Sequence, residues 1–205
     1  MPGRFFLTSP TTEIATHLGA DAGGLNEPPR SNISPGQDII VGLPKRVLSK
    51  MRWGIIPVGR VNARGRPVME TVINARSETV FAKSAFDGVR RCLVPVDGWY
   101  EWTGEKRHKT AWRIARVTGE PIVFAGIYDV WHGPGGTRLP QVATLTCAPS
   151  ADVRDIHHRM GVILAPEDFG TWLTGSQDQA SLLMQPLTDG SLVVEEARKV
   201  DWGGA

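Results

Sequence analysis

The strongest constraint on the fold lies in the middle of the chain, residues 91–147, where short apolar segments alternate with turns that contain Gly or Pro. Each segment is about as long as an ordinary strand and is rich in β-branched or aromatic residues, a pattern typical of strands. The predicted strands are Arg91–Val96, Trp99–Thr103, Ala111–Val117, Ile122–Val130 and Gln141–Cys147. This β-rich middle predicts a domain built on an antiparallel or mixed sheet.

Both helices and strands are predicted on either side of this middle. Further strands are expected at Asp38–Leu43, Met51–Ile56 and Leu192–Ala197. Helices are expected at Ser9–Leu18, Ala151–His157, Pro166–Leu173 and Gln177–Gln185. Within 77–86 the apolar residues recur at near-helical spacing. Frequent Gly and Pro predict a surface loop over 19–37 and a hairpin or mobile loop over 59–67, which carries Arg60, Arg64 and Arg66.

A chain of 205 residues corresponds to between one and two domains at roughly 150 residues each, and one domain is the simpler expectation. Neither a repeat nor a low-complexity linker divides it, so we expect a single α+β domain over residues 1–205. Its 41% hydrophobic and 21% charged residues are typical of soluble globular proteins. The longest apolar run, Ile122–Tyr128, is far shorter than the ~18 residues of a membrane span, and the opening residues lack a secretory signal. A cytoplasmic protein is therefore expected.

The cysteines and the basic residues restrict the chemistry further. Cys92 and Cys147 stand 55 positions apart, without a CxxC partner or a nearby His cluster, so neither a disulfide framework nor a zinc site is expected. Both lie in strand-like sequence and are predicted to be small buried apolar residues. The formal net charge is only +2, yet 17 of the 23 basic residues are Arg, whose planar fork binds phosphate and stacks on bases. This composition is compatible with a nucleic-acid groove and does not require one.

Two blocks place ionisable side chains inside otherwise apolar, strand-like sequence. Glu101 has aromatic residues on both sides in the block 98–102, and a carboxylate desolvated in this way has a raised pKa that suits proton transfer near neutral pH. The alternative is that Glu101 lies on the solvent-exposed face of an amphipathic strand. His157 and His158 are adjacent, so only one of them can face a given pocket, and either could instead be a helix-end or core histidine.

Six short blocks occur in an order that is similar to one known family. They are Gly3-Arg4-Phe5, Asn32-Ile33-Ser34-Pro35-Gly36-Gln37, Trp53-Gly54-Ile55-Ile56-Pro57, Asn74-Ala75-Arg76-Ser77-Glu78-Thr79, Arg91-Cys92-Leu93-Val94-Pro95 running into Gly98-Trp99-Tyr100-Glu101-Trp102, and Ile156-His157-His158-Arg159-Met160. Together these blocks resemble the SOS-response-associated peptidase (SRAP) family of abasic-site-processing proteins. One block alone would carry little weight, but six in the same order argue against chance.

The resemblance implies a single domain with a β-barrel-like core, flanked by short helices, and a positively charged groove for single-stranded DNA that contains abasic sites. It also implies covalent capture, in which the initiator Met is removed and a Cys at position 2 condenses through its amine and thiol with the sugar aldehyde into a thiazolidine. Position 2 here is Pro2, and neither Cys92 nor Cys147 stands where it could replace the missing thiol. No metal or cofactor is implied, and we expect a cytoplasmic monomer that is nucleoid-associated when bound to DNA.

Pro2 leaves two interpretations open. If Met1 is removed, Pro2 presents a secondary amine with a reference pKa of about 7.7–8.0, which can attack an aldehyde and form an iminium. Without a thiol this iminium should stay reversible or proceed to β-elimination, so stable crosslinking is expected to be lost. Alternatively, the protein binds single-stranded DNA without covalent chemistry, because Met1 is retained and the Pro2 nitrogen is a tertiary amide, or because Pro2 is an engineered or drifted residue. A peptidase acting on foreign proteins has little support, because the sequence shows no recognisable Ser/His/Asp or Cys/His arrangement.

The resemblance also implies roles for individual positions. Asn74 would orient the N-terminus or the sugar, Glu101 would shuttle protons, and His157 would protonate the opening ring oxygen of the deoxyribose. The predicted catalytic residues are therefore Pro2, Asn74, Glu101 and His157. The predicted DNA-binding residues are Arg4, Asn32, Pro35, Trp53, Arg76 and Arg159. The three arginines fall where the family contacts phosphates, although Arg159 could equally pair with a structural carboxylate.

Two further positions depart from the family pattern. The Trp that usually stands two residues after the Pro of Trp-Gly-x-x-Pro is Gly59, so base stacking worth ~1–3 kcal/mol is missing or supplied by another aromatic residue. The usual Arg-Met-Pro is Arg159-Met160-Gly161, which loosens the backbone just after the predicted catalytic histidine.

Overall fold

The computed structural model describes residues 2–57, 70–105, 108–198 and 200–203. Within these ranges the strands are β1 (Phe5–Leu7), β2 (Arg30–Ile33), β3 (Asp38–Leu43), β4 (Val47–Trp53), β5 (Asn74–Arg76), β6 (Arg90–Val96), β7 (Gly98–Thr103), β8 (Thr110–Arg116), β9 (Ile122–His132), β10 (Arg138–Cys147), β11 (Met160–Gly161) and β12 (Leu192–Glu196). The helices are α1 (Thr11–His17), α2 (Phe169–Thr174) and α3 (Gln177–Leu182). No helix in these ranges is long and apolar enough to cross a membrane.

The strands form two sheets. One sheet has the order β12-β8-β7-β1-β2, and the other has the order β11-β10-β4-β3-β6-β9, with β5 also paired to β10. Among the described strands, neighbours are antiparallel except where β10 runs parallel to β4 and to β5. Because β9 also pairs back to β10, the second sheet curls into a barrel-like layer. This architecture confirms the expected α+β fold with a mixed, barrel-like core.

The first strand carries the start of the chain into the core. Phe5 has no exposed surface and stacks on Trp53 with 3.9 Å between the ring centroids, while Phe6 faces the other side of the sheet. β1 pairs with β7 so that Phe5 lies opposite Trp99. Since alternate residues of a strand face opposite sides, the side of β7 that presents Trp99 to the core also presents Glu101.

The carboxylate of Asp97 binds the two residues that follow β1 and thereby fixes the end of this strand. It accepts hydrogen bonds of 2.6 to 2.9 Å from the backbone N–H and hydroxyl groups of Thr8 and Ser9. We expect Asp97→Ala to lower the free energy of unfolding by about 2 kcal/mol, because these donors lose their shared acceptor. Chemical denaturation measures the change, with the exposed Asp87→Ala as a control that should stay within about 0.5 kcal/mol of the parent. Equal midpoints for the two variants would contradict this role of Asp97.

Most of the predicted elements are confirmed, with ends that shift by a few residues. The predicted helix Ala151–His157 is wrong, because these residues form turns instead. The carboxylate of Asp152 accepts hydrogen bonds from the backbone N–H groups of Gly190 and Leu192, at 2.8 and 3.0 Å. These bonds tie the segment to the start of β12, and tertiary contacts therefore override the local helical signal.

Two other segments differ from their predictions, and a third lies outside the described residues. The predicted loop 19–37 contains β2, since Ile33 is buried and pairs with Phe5 of β1. The segment 77–86, with its near-helical spacing of apolar residues, forms turns followed by a short 3-10 helix at Ser84–Phe86. The predicted loop 59–67 lies outside the described residues.

Both cysteines are free and buried, as predicted. Burial raises the pKa of the Cys92 thiol, and it raises the pKa of the Cys147 thiol to about 11. The thiolate is the nucleophilic form of cysteine, so neither side chain is prepared for nucleophilic chemistry at neutral pH.

Candidate functional site

The start of the described chain lies against β5, which is paired with β10. Pro2 is buried, and the side-chain N–H of Asn74 donates a hydrogen bond of 2.7 Å to the Pro2 carbonyl oxygen. The side-chain oxygen of Asn74 accepts a bond of 2.5 Å from the Thr144 hydroxyl, because the parallel pairing of β5 and β10 sets these residues side by side. Both ends of the amide are engaged, which fixes its orientation relative to residue 2. Thr144 is a site residue that sequence reasoning missed.

Glu101 occupies a desolvated position on the inward side of β7, where it is 6% exposed. Burial raises the pKa of its carboxyl to about 7, while a hydrogen bond with Trp99 opposes the rise. Of the two interpretations open from the sequence, the structure shows the desolvated one. A carboxyl with this pKa exchanges protons near neutral pH, as a general acid or base must.

His157 lies in the turn that leads into β11. Its Nδ1 lies 3.0 Å from the backbone nitrogen of Arg159 and 3.1 Å from the Arg159 carbonyl oxygen, so it accepts from the N–H in the Nε2–H tautomer and donates to the carbonyl in the Nδ1–H tautomer. Burial lowers the pKa of His157 to about 4, and the charge of His158 adds to this shift. His157 is therefore neutral at physiological pH and offers one N–H donor. His158 is exposed and stacks on it with 4.3 Å between the ring centroids.

Two of the four predicted catalytic residues are in direct contact, since Asn74 binds the Pro2 carbonyl. Glu101 is buried on β7, and His157 is half-buried in the turn before β11. The described part of the chain holds no group of three or more His, Cys, Asp or Glu side chains that could bind a metal ion. These residues thus supply a titrating acid, a neutral N–H donor and an amide that is oriented against the start of the chain.

Two of the predicted DNA-binding residues, Arg4 and Asn32, contact each other. The Arg4 guanidinium donates to the side-chain oxygen of Asn32 at 2.6 Å, and the Asn32 amide N–H donates to the Asp201 carbonyl oxygen at 2.9 Å. Asn32 is 4% exposed and is in contact with the segment 200–203. The Asn32 amide N–H that would contact a DNA strand is therefore already bound to the segment 200–203.

The accessibility of the remaining predicted DNA-binding residues differs. Pro35 and Arg76 are exposed, and Arg76 is the last residue of β5. Trp53 has no exposed surface, since its ring stacks on Phe5 and its indole N–H donates to the Ile73 carbonyl at 3.1 Å. The prediction that Trp53 binds DNA is wrong, because a side chain without exposed surface packs the core instead.

Comparison with known proteins places the chain among its relatives. Residues 1–200 match the model of the SOS response associated peptidase (SRAP) family. The chain belongs to the SRAP family. The Abasic site processing protein YoqW of Bacillus subtilis is 33% identical, over 91% of this chain and 87% of its own length. Crystal structures of a protein from Bacteroides thetaiotaomicron and of one from Bordetella bronchiseptica share the fold with TM-scores of 0.80 each, at 21% and 23% identity, and cover 96% of this chain and 92% and 99% of their own.

Arg159 of this SRAP protein is paired with a carboxylate. Its guanidinium contacts both carboxylate oxygens of Glu78, one of them at 2.9 Å, and also donates to the Thr146 carbonyl oxygen on β10. The hydrogen bond from Arg159 lowers the pKa of Glu78 to about 2, so this carboxylate is ionised at neutral pH. The carboxylate pair considered for Arg159 is therefore present, and its contact with a DNA phosphate stays a prediction. Glu78 was not predicted as a site residue, although it shares a six-residue block with Asn74 and Arg76.

The Gly that replaces the usual SRAP proline after Met160 is packed against the core. A Cβ atom on Gly161 would lie 2.3 Å from a ring carbon of Phe124, far inside a normal contact distance. The absence of a side chain therefore lets β11 approach this ring and pair with the end of β10. The other departure from the SRAP pattern, Gly59, lies outside the described residues.

Proposed function

We propose that this SRAP protein processes abasic sites in single-stranded DNA through the secondary amine of Pro2, which is freed when Met1 is removed. The observation that carries the proposal is the hydrogen bond from Asn74 to the buried Pro2, in a site where Glu101 has a pKa of about 7. A relative that matches nearly the whole chain is named an abasic site processing protein, which supports the same substrate class.

The chemistry begins with the closed-ring sugar of an abasic site. Ring opening moves the proton of the C1′ hydroxyl to a base and places a proton on the ring oxygen, which leaves an aldehyde at C1′. The Pro2 nitrogen attacks C1′, and the carbinolamine then loses its hydroxyl as water to give an iminium. Because a secondary amine has given up its only proton by this stage, the iminium stays positively charged until it is hydrolysed, reduced or converted.

Each side chain of the site takes part in these proton transfers. Glu101 accepts the proton of the attacking amine and returns it to the departing hydroxyl, since a carboxyl with this pKa is present in both forms at neutral pH. His157 is neutral, and in the tautomer whose Nδ1 accepts from the Arg159 N–H its Nε2–H donates a hydrogen bond to the ring oxygen. Asn74 holds the Pro2 carbonyl and thereby orients the nitrogen of the same residue toward the sugar.

Pro2 limits the reaction to reversible or eliminating steps. A Cys at position 2 would add its thiol to C1′, and proline has no such group. The iminium instead draws electrons toward nitrogen: a base removes a proton from C2′, and the C3′–O bond breaks, so that the 3′ phosphate leaves. Hydrolysis then releases the protein with its amine restored.

Arg76, the exposed arginine of β5, binds the DNA strand next to this site. Arg76 is two residues from Asn74 and so faces the same side of the strand, where its guanidinium binds a phosphate beside the captured sugar. Binding at Arg4 and Asn32 requires the segment 200–203 to release the Asn32 amide. Noncovalent binding of single-stranded DNA is the second candidate function, favoured by the absence of a thiol at position 2.

Reductive trapping separates the two candidate functions. With borohydride and abasic single-stranded DNA, we expect a protein–DNA adduct whose peptide map places the DNA on residue 2 and whose mass lacks Met1. Intact DNA of the same sequence is the control and should give no adduct. Salt-sensitive binding of both DNAs without any trapped adduct would contradict the enzyme and support the binding module.

A further inference from the structure

We infer that Glu78 is a positioning residue for His157, acting through Arg159, which holds the turn that orients the imidazole. The inference rests on the proposed function for its consequence in catalysis, whereas the orientation of the ring is measurable without DNA. It makes Arg159 part of the internal hydrogen-bonding network of the site rather than a ligand for a DNA phosphate.

The Arg159 guanidinium is bound on two sides by groups of the protein. One terminal nitrogen pairs with Oε1 of Glu78, and the other pairs with Oε2 at 2.9 Å and with the Thr146 carbonyl oxygen. The Arg159 side chain is 12% exposed and that of Glu78 is 55% exposed, so the carboxylate reaches from the surface onto a largely buried cation. A bidentate pair of this kind fixes the plane of the guanidinium, which a single point contact would not do.

The backbone of Arg159 orients the His157 ring. Its nitrogen and its carbonyl oxygen lie 3.0 and 3.1 Å from Nδ1, so the Arg159 backbone holds the ring in either tautomer, and His158 alone separates the two residues. Directly after Arg159 the chain enters β11, which pairs with the end of β10. The side chain and the backbone of Arg159 therefore attach the same short turn to Glu78 and to β10, and the direction of the imidazole depends on both attachments.

Glu78 also connects the turn that carries His157 to β5, the strand that carries Asn74. It follows β5 by two residues, and the Ser77 N–H donates at 2.9 Å to the Thr146 carbonyl oxygen, the same oxygen that accepts from Arg159. The strand that carries the amide of the site and the turn that carries the imidazole are thus joined through one carbonyl of β10 and one ion pair. Loss of the ion pair would leave the turn held mainly by β11, and the His157 ring would gain freedom to rotate.

A DNA phosphate would have to displace Glu78 in order to reach Arg159. Because the Glu78 carboxylate is ionised at neutral pH, it competes with phosphate for the guanidinium. The positioning role and the phosphate role therefore predict opposite results when Glu78 loses its charge. A positioning pair would lose the order of the ring and slow the chemistry, whereas a phosphate ligand freed from its competitor would bind DNA more tightly.

The decisive experiment compares Glu78→Gln with Glu167→Gln, which removes the same charge at an exposed position. In the parent, NMR of the ring nitrogens should show His157 as a single neutral tautomer, with widely separated shifts for Nδ1 and Nε2. In Glu78→Gln the two shifts should move toward each other, and in Glu167→Gln they should not change. Arg159→Lys keeps the positive charge but removes the fork, so we expect it to move the shifts in the same way as Glu78→Gln.

Kinetics provides a second readout. The rate of borohydride-trapped adduct formation should fall about tenfold in Glu78→Gln, while the affinity for intact single-stranded DNA stays within about twofold of the parent. Unchanged ring shifts, or tighter binding of intact DNA by Glu78→Gln, would overturn the inference. If the parent forms no adduct at all, the proposed function fails, and the ring shifts still decide whether Glu78 positions His157.

Discussion

Replacing Glu101 with Gln is expected to slow adduct formation with abasic single-stranded DNA by about 10²- to 10⁴-fold, the range that general acid–base catalysis contributes. Gln has nearly the same volume but does not exchange a proton in this pH range, so amine attack and loss of water proceed without their proton carrier. A time course of borohydride trapping measures the rate. The exposed Glu120→Gln is the matched control and should react like the parent. Equal rates for the two variants would show that Glu101 does not carry the proton.

The pH dependence examines the same side chain independently. The trapping rate of the parent should include a titration near pH 7, because burial raises the pKa of Glu101 to about 7. Glu101→Gln should lack this titration, whereas Glu120→Gln should keep it. A titration that persists unchanged in Glu101→Gln belongs to another group, and the proposed role of the carboxyl would then be wrong.

Glu101→Gln should also stabilise the protein. Burial raises the pKa of Glu101 from 4.5 to about 7, so the folded state favours the protonated carboxyl, and the stability from this preference is lost as the pH rises through about 7. Gln imitates the protonated form. The variant should therefore exceed the parent in free energy of unfolding by roughly 2–3 kcal/mol above about pH 7 and match it near about pH 4. A variant that gains stability while it loses activity separates the catalytic role from a structural one.

The second large effect is expected from Pro2→Cys, which should convert a reversible adduct into a crosslink that survives heating without a reductant. The new residue carries a primary amine and a thiol on adjacent carbons. The amine forms an imine at C1′, the thiol adds to the same carbon, and the thiol proton moves to nitrogen as a five-membered ring closes. Because Pro2 is buried and held by Asn74, the new thiol lies within the site. The variant should capture most of an equimolar abasic DNA, and the parent should yield no heat-stable product.

Pro2→Ser is the matched control for this gain of function. It also provides a primary amine but has a hydroxyl in place of the thiol, so it should give an adduct only under borohydride. Cys92 and Cys147 are buried in the parent and supply no competing thiol. The intact masses must show loss of Met1 in both variants. If Pro2→Cys then forms no more heat-stable product than Pro2→Ser, residue 2 does not meet the aldehyde and the proposed function is wrong.

The long strands of the fold could be predicted because each carries its own pattern of apolar residues between turns. The predicted strand Asp38–Leu43 matches β3 at both ends, for example. The short strands β1, β5 and β11 have three, three and two residues, too few to show any periodicity. They exist because they pair with β7 and β10, and they carry or flank the candidate site. The part of the fold that builds the site was therefore the least predictable part.

The available chemical groups can be read from the residues alone: an acid among aromatic residues, an amide in one of six blocks that resemble the family, two adjacent imidazoles, and Pro2 in place of a cysteine. Which of these groups meet depends on the folded chain. Asn74 binds Pro2 across 72 positions and Arg159 binds Glu78 across 81 positions, while Trp53 is withdrawn into the core. These contacts follow from the register of β5 and β11 on β10, and register depends on pairing between distant segments, which a local pattern of residues does not encode.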